Sequence, residues 1–131
     1  MKQIPIKKFI PGIVWFVLVL VLICLPQNDL PELNEWSAFL EKIYFDKWVH
    51  AGMFGMLAFL FIFPFGKSTI PSTTKWKYFI WISIIVSFWG LATEVIQRII
   101  PGRSFELLDW AADSFGALIA LIISKKIILK N

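Results

Sequence analysis

Long apolar runs alternate with short polar stretches along the chain and predict four membrane-spanning helices. A helix needs about 20 mainly apolar residues to cross about 30 Å of hydrocarbon. Proline and glycine lie near the ends of most of the apolar runs, where helices begin and end. The predicted spans cover residues 9–25, 45–65, 76–100 and 105–123. We therefore predict an all-α, polytopic membrane protein in which residues 1–131 form a single four-transmembrane-helix bundle domain.

The connection between the first two spans carries apolar residues at three- and four-residue spacing. Asp29 and Glu32 stand where a helix N-cap and its capping-box partner are expected. The apolar positions are Leu33, Trp36, Phe39, Leu40, Ile43 and Tyr44. The pattern predicts a short amphipathic helix within 27–44, which lies either on the membrane surface or as a lid over the bundle.

The composition agrees with a protein that is surrounded by lipid. Of the 131 residues, 58% are hydrophobic and only 17% are charged, and the chain contains 7 Trp and 13 Phe. A soluble fold of this length could not cover so much apolar surface with so few charges. A single cysteine, Cys24, also excludes an internal disulfide framework. A soluble cytosolic domain, a disordered chain and a disulfide scaffold are thereby disfavoured.

The first span has two alternative interpretations, a retained helix and a cleaved signal peptide. Lys2, Lys7 and Lys8 precede the apolar run, as in a signal peptide. No small-x-small cleavage site follows, and the bulky Ile23 precedes Cys24 where a lipoprotein site needs a small residue. We therefore expect a retained helix, with Cys24 as a small apolar residue within it.

The distribution of charge predicts the orientation in the membrane. Nine of the thirteen basic residues fall on one side if the chain crosses four times, namely Lys2, Lys7, Lys8, Lys67, Lys75, Lys77, Lys125, Lys126 and Lys130. All nine acidic residues belong to the other half. The positive-inside rule makes the basic side cytoplasmic. We predict a multi-pass membrane protein with both termini in the cytoplasm and the 27–44 connection outside.

Polar residues inside the last three spans form a stripe along each predicted helix. Ionisable residues within membrane helices are costly, and they usually face the bundle interior or a cavity. Small residues share these stripes and let helices approach closely, so the carboxylates point inward rather than at lipid. The stripes contain Asp46, Lys47 and His50; Ser83, Ser87, Gly90, Glu94 and Gln97; and Asp109, Asp113 and Gly116.

These stripes converge at a similar depth near the predicted outer surface. The tight turn at Pro101 and Gly102 makes the ends of the third and fourth spans neighbours. Each polar residue alone is explained by a cap, an ion pair or a hydrogen bond between helices. Their convergence favours one outward-facing polar pocket, formed by Asp46, Lys47, His50, Glu94, Gln97, Arg103, Ser104, Asp109 and Asp113.

Three sequence blocks resemble those of the VanZ-like family of small bacterial integral membrane proteins. The blocks are Asp46-Lys47-x-x-His50, Glu94-x-x-Gln97, and Pro101-Gly102-Arg103-Ser104-Phe105 followed by Asp109-x-x-x-Asp113-x-x-Gly116. The family usually has Asn at the position of Asp113 and often Gly at that of Ala120. The resemblance covers roughly residues 10–124. It implies a protein of the bacterial cytoplasmic membrane with a role at the cell envelope linked to resistance to the glycopeptide teicoplanin.

The sequence leaves three classes of function open. The first is binding of an amphiphile, such as a lipid head group or a lipoglycopeptide, by Asp46, Lys47, His50, Glu94, Gln97, Arg103, Ser104 and Asp109. The second is an enzyme acting on a lipid-linked substrate, with acid–base candidates His50, Glu94, Asp109 and Asp113. The third is a small membrane scaffold that contacts another protein through its small-residue faces.

Cofactors and partners follow from the same residues. No cofactor is predicted. A divalent metal is compatible with the acidic residues and His50, although their spacing matches no recognised metal motif. The expected partner is the lipid bilayer, together with the head group or lipoglycopeptide just named. Nothing in the sequence indicates nucleic acid, and the oligomeric state stays open.

Overall fold

The computed structural model describes residues 4–26, 39, 41 and 43–129. The residues described form helices joined by turns, without a β-strand, which confirms the all-α prediction. Short 3₁₀ turns at Ile6–Phe9 and Phe63–Phe65 flank two of the helices. The four long helices are α1 (Ile10–Cys24), α2 (Phe45–Ile62), α3 (Ser72–Gln97) and α4 (Leu107–Ile128).

All four helices, two of them extended by the 3₁₀ turns, are long and apolar enough to cross a membrane. The chain is therefore a multi-pass membrane protein. The predicted boundaries of the third and fourth helices were wrong at both ends. The third helix begins at Ser72 rather than 76 and ends at Gln97 rather than 100. The fourth runs over Leu107–Ile128 rather than 105–123.

Helix-terminal interactions explain these differences. Pro71 immediately precedes α3. Lys75, in the first turn of α3, donates a hydrogen bond from its Nζ to the Gly66 carbonyl at 3.3 Å. The helix therefore begins within the polar residues that precede the apolar run. At the other end of α3, Gly102 has a φ of 76° and belongs to a turn that begins before Pro101. The helix therefore ends at Gln97, ahead of this turn. Lys125 and Lys126 extend α4 because cations are favourable in the last helical turn.

The closest helix pair is α2 and α4, which cross at small residues. A Cβ added to Gly55 would lie 3.0 Å from the Gly116 carbonyl oxygen, and one added to Gly116 would collide with the Ala51 carbonyl. Gly116 and Ala120 are buried, and Ala112 is half-buried. The contact at Gly116 thus agrees with the prediction that small residues of the polar stripes let helices approach closely.

The apolar core lies between α1, α2 and parts of α3 and α4. Val19 and Ile23 of α1 pack in the same cluster as Phe54 of α2 and Val86 of α3. Trp15 fixes α1 further, because its Nε1 donates to the Met53 carbonyl at 2.9 Å. These contacts join α1 to the other three helices.

Charged residues divide between the two ends of the bundle. The end formed by the start of α2 and α4 carries Asp46, Glu106 and Asp109, and we call it the acidic end. The opposite end, here called the basic end, carries Lys7, Lys8, Lys67, Lys75, Lys77, Lys125 and Lys126 among the described residues. Most of the amphipathic helix predicted within 27–44 lies outside the described residues and stays a prediction.

Candidate functional site

A cavity of about 360 Å³ opens at the acidic end of the bundle. It is surrounded by the end of α1, the start of α2, the end of α3, the 98–106 connection and the start of α4. The residues of α1 form an apolar wall, whereas α2 contributes Val49 and Met53 beside Asp46 and His50. The lining residues are Leu22, Ile23, Leu25, Pro26, Asp46, Val49, His50, Met53, Gln97, Arg103, Ser104, Glu106 and Asp109.

A histidine–carboxylate pair lies beside the cavity. His50 Nδ1 is 2.9 Å from Asp113 Oδ1, and both residues are buried. The absence of a side chain on Gly90 makes room for Asp113, since a Cβ there would lie 2.7 Å from Asp113 Oδ2. The hydrogen bond holds the imidazole with Nε2 toward Asp109, whose Oδ2 is 3.8 Å away.

Lys47 joins α2 to the start of α4 through three carboxylates. Its Nζ lies 2.6 Å from Asp46 Oδ2, 2.5 Å from Glu106 Oε2 and 2.5 Å from Asp109 Oδ1. The contacts with Asp46 and Glu106 are hydrogen bonds, and the contact with Asp109 is an ion pair. Lys47 therefore neutralises carboxylates of this protein instead of presenting a free positive charge to the cavity.

Glu94 and Gln97 link the end of α3 to the connection that follows. Glu94 is fully buried, and its Oε2 accepts a hydrogen bond from the Glu106 backbone N–H at 3.0 Å. The Gln97 amide, oriented by its neighbours, donates to Glu94 Oε1 at 3.0 Å and accepts from Arg103 Nη1 at 3.2 Å. This chain fixes the buried carboxylate in one orientation.

Arg103 binds the end of α1. Its Nε donates to the Leu25 carbonyl at 3.1 Å, and Nη2 donates to the Leu22 carbonyl at 3.3 Å. The last carbonyls of a helix lack partners within the helix and carry partial negative charge, so a guanidinium there is favourable. The planar fork of Arg103 is thus engaged by the backbone and by Gln97.

The structure brings all nine residues predicted for the pocket to this end, in two roles. Asp46, His50, Gln97, Arg103, Ser104 and Asp109 line the cavity. The other three, Lys47, Glu94 and Asp113, do not line it but contact residues that do. Ser104 is exposed and makes no side-chain hydrogen bond to the described residues. Arg98, which borders the α3 stripe, is exposed and is not a lining residue.

Sequence analysis missed Glu106 and the apolar wall. Glu106 connects Lys47 with Glu94 through its side chain and its backbone N–H. In the sequence, Glu106 could have been recognised by its position two residues after Ser104 and just before α4. The wall residues Leu22 and Leu25 gave no such signal, because an apolar residue facing a cavity looks the same in sequence as one facing lipid.

Two groups of side chains have metal-ligating atoms close together. His50, Glu94 and Asp109 form a buried group, and Asp46, Glu106 and Asp109 form a more exposed one. In each group the donor atoms lie within 4.8 Å of one another. Lys47 already contacts all three carboxylates of the exposed group, so the buried group has the better donor set for a cation.

The fold and the site define a small multi-pass helical membrane protein with a buried histidine–carboxylate cluster at one end. A VanZ/LLP1 family profile matches residues 9–130, nearly the whole chain. The chain therefore belongs to the VanZ/LLP1 family, which is associated with teicoplanin resistance. No curated protein and no solved structure matches the chain significantly.

Proposed function

We propose that this protein binds the head of an amphiphilic cell-envelope molecule in the cavity at the acidic end. The observation that carries the proposal is the mixed apolar and acidic lining of the cavity. Leu22, Leu25 and Met53 offer an apolar surface, and Asp46 and Asp109 offer carboxylates in the same cavity. An amphiphile needs both kinds of surface, since its polar group must find hydrogen bonds where its hydrocarbon leaves water.

The volume supports a ligand part of modest size. Small-molecule sites occupy about 300–1,000 Å³, and this cavity of about 360 Å³ lies near the lower limit. A lipid head group, or one sugar or acyl terminus of a lipoglycopeptide, fits that space, whereas an entire glycopeptide does not. The remainder of such a ligand would stay in the membrane or outside it.

The charges favour a head group that donates hydrogen bonds. Lys47 is neutralised by three carboxylates, and Arg103 is occupied by α1 carbonyls and Gln97. A phosphate bound by these cations would have to displace those partners. Asp46 and Asp109 accept hydrogen bonds at the lining, so an amine or hydroxyl group is the better complement.

A matched pair of variants on α2 tests the binding site. Met53 lines the cavity, while Met56, one turn further along, is exposed on another face and does not line it. We expect Met53→Trp to fill the cavity and to lower the affinity at least about tenfold, which corresponds to about 1.4 kcal/mol. Met56→Trp should bind as the unaltered protein does.

Binding would be measured in lipid nanodiscs by thermophoresis. The probes are teicoplanin, deacylated teicoplanin and a short-chain phosphatidylethanolamine. Saturable binding of an acylated probe that Met53→Trp weakens and Met56→Trp preserves supports the proposal. Absence of saturable binding, or equal binding by the two variants, would contradict it. Size-exclusion profiles of the variants establish that the comparison is made on folded protein.

A second candidate function, a membrane enzyme acting on a lipid-linked envelope substrate, is favoured by the His50–Asp113 pair. The carboxylate orients the imidazole and leaves Nε2 on the cavity side, as a general base requires. Glu94 and Asp109 supply further acid–base groups nearby. Release of a water-soluble product from the bound amphiphile, abolished in His50→Gln, would distinguish an enzyme from a binding protein.

A further inference from the structure

We propose that His50 Nε2, Glu94 and Asp109 bind one divalent transition-metal ion at the base of the cavity. The three residues come from α2, α3 and α4, so the helix bundle itself assembles the donor set. All three are buried, with exposed fractions of 7% for His50, 0% for Glu94 and 8% for Asp109. The site does not depend on the binding of an amphiphile.

The unoccupied Nε2 atom of His50 distinguishes this group from an ordinary acidic cluster. Its Nδ1 is occupied by Asp113, but Nε2 makes no hydrogen bond to any part of the chain that the structure describes. The nearest carboxylate oxygen, Asp109 Oδ2, is 3.8 Å away, beyond hydrogen-bond distance. Nε2 is therefore free to coordinate an ion that enters from the cavity lined by His50.

The separations fit a shared ion. In a tetrahedral site, bonds of about 2.0–2.2 Å from nitrogen and oxygen donors to Zn²⁺ place two donors about 3.3–3.6 Å apart. His50 Nε2 and Asp109 Oδ2 are 3.8 Å apart, slightly more than that range. The whole group lies within 4.8 Å, so a slight inward movement of the carboxylates completes the coordination.

The surrounding residues resemble the outer shell of a metal site. A metal-binding histidine commonly donates its other nitrogen to a carboxylate, which fixes the ring and its tautomer. Asp113 occupies that position at 2.9 Å from Nδ1 and is fully buried. Glu94 is likewise held, by the Glu106 backbone N–H and the Gln97 amide.

Charge balance also favours a cation. Glu94, Asp109 and Asp113 bring three buried carboxylates together, and of these Lys47 contacts only Asp109. Uncompensated negative charge is unfavourable in the low-dielectric interior of a membrane protein. A divalent ion between Glu94 and Asp109 offsets it, while Asp109 keeps Oδ1 on Lys47 and turns Oδ2 to the ion.

The donor set indicates which ion fits best. Imidazole favours Zn²⁺ and related transition metals over Mg²⁺ and Ca²⁺, while carboxylates are accepted by both groups. Three protein ligands leave a coordination position open, as in catalytic zinc sites. Since His50 and Asp109 line the cavity, that position faces the space in which the proposed amphiphile head lies.

The test is metal binding by the purified full-length protein in detergent. The protein is stripped with EDTA, titrated with Zn²⁺ by calorimetry and, in parallel, with Co²⁺, whose visible spectrum reports coordination by protein ligands. We expect one ion per chain. Glu94→Gln and Asp109→Asn remove one ligand each, and they should abolish stoichiometric binding and the Co²⁺ spectrum.

Two further variants serve as controls. Glu41→Gln removes an exposed carboxylate that does not line the cavity, and it should bind Zn²⁺ as the unaltered protein does. Asp113→Asn keeps an oxygen that accepts from His50 Nδ1 but removes the charge. It should retain one ion with an affinity lowered about 10–100-fold, the range seen for outer-shell changes.

The outcomes separate this site from the proposed amphiphile binding. Absence of Zn²⁺ and Co²⁺ binding by the unaltered protein, or equal binding by Glu94→Gln and Glu41→Gln, would overturn the metal site. Neither result bears on whether Met53→Trp weakens amphiphile binding. Variants are compared only after size-exclusion chromatography shows monodisperse protein, and if Glu94→Gln aggregates, Asp109→Asn decides the question.

Discussion

At the scale of single residues, the site is a set of charges that are partnered within the protein. Lys47 contacts three carboxylates, His50 contacts Asp113, and Arg103 contacts the end of α1. Such internal pairing offsets part of the cost of burying charge in a membrane protein. Because these side chains join different helices, a single substitution also disturbs more than one contact between helices.

Arg103→Lys is the sharpest test of this pairing. Lysine keeps the positive charge but lacks the planar fork that reaches the Leu22 and Leu25 carbonyls and the Gln97 amide together. We expect the free energy of unfolding to fall by about 1–3 kcal/mol, because hydrogen bonds from a charged donor are lost. The measurement is thermal unfolding of the purified protein in detergent.

The matched control is Arg98→Lys. Arg98 is exposed, and the structure gives its side chain no bond to the described residues, so the same chemical change should leave the unfolding temperature nearly unaltered. Equal unfolding temperatures for the two variants would mean that the Arg103 contacts with α1 do not stabilise the fold.

At the scale of elements, close contact between α2 and α4 aligns the residues of the site. Gly55, Gly116 and Ala51 let the two backbones approach. Because α2 and α4 are in contact there, His50 and Asp113 meet one turn nearer the acidic end. The small-residue stripe therefore serves both the packing and the placement of the site.

Gly116→Leu tests this crossing. A Cβ at Gly116 meets the backbone carbonyl of Ala51, which cannot move without shifting α2. We expect the bundle to be destabilised by about 3 kcal/mol, the upper part of the range for overpacked cores. The measurement is the fraction of monodisperse protein that remains after heating.

Phe115→Leu, at the neighbouring position, is the control for Gly116→Leu. Phe115 is 52% exposed toward the membrane, so its shortening should cost little. If Gly116→Leu and Phe115→Leu resisted heating equally well, the α2–α4 contact would not be the one that holds the bundle.

At the scale of the whole molecule, the basic and acidic ends predict how the bundle lies in the membrane. Lys67, Lys77, Lys125 and Lys126 lie at one end, and the candidate site lies at the other. Basic residues are retained in the cytoplasm during insertion. The candidate site should then open to the outside, where an envelope amphiphile is encountered.

Cysteine labelling of intact cells checks this orientation. In a Cys24→Ala background, single cysteines at 34, 70 and 131 probe the first connection, the second connection and the C-terminus. A membrane-impermeant maleimide should label position 34 only, and it should label 70 and 131 after the membrane is opened. Labelling of position 70 in intact cells would reverse the orientation and turn the cavity to the cytoplasm.

The sequence by itself determined the helices and the polar stripes. Four apolar runs of sufficient length specify four helices, because a chain in lipid must satisfy its backbone hydrogen bonds within each span. Spacings of three and four residues place Asp46 with His50, and Asp109 with Asp113, on one helix face. These properties depend on neighbours along the chain and are readable without the fold.

The tertiary structure alone decided which groups meet. Lys47 and Glu106 are 59 residues apart, His50 and Asp113 are 63 apart, and Arg103 and Leu25 are 78 apart. The rotation and depth of each helix set these contacts, and no periodicity along the chain encodes them. For the same reason the sequence placed Lys47 and Arg103 among the residues predicted to bind a ligand, whereas the folded bundle engages both with its own carboxylates and carbonyls.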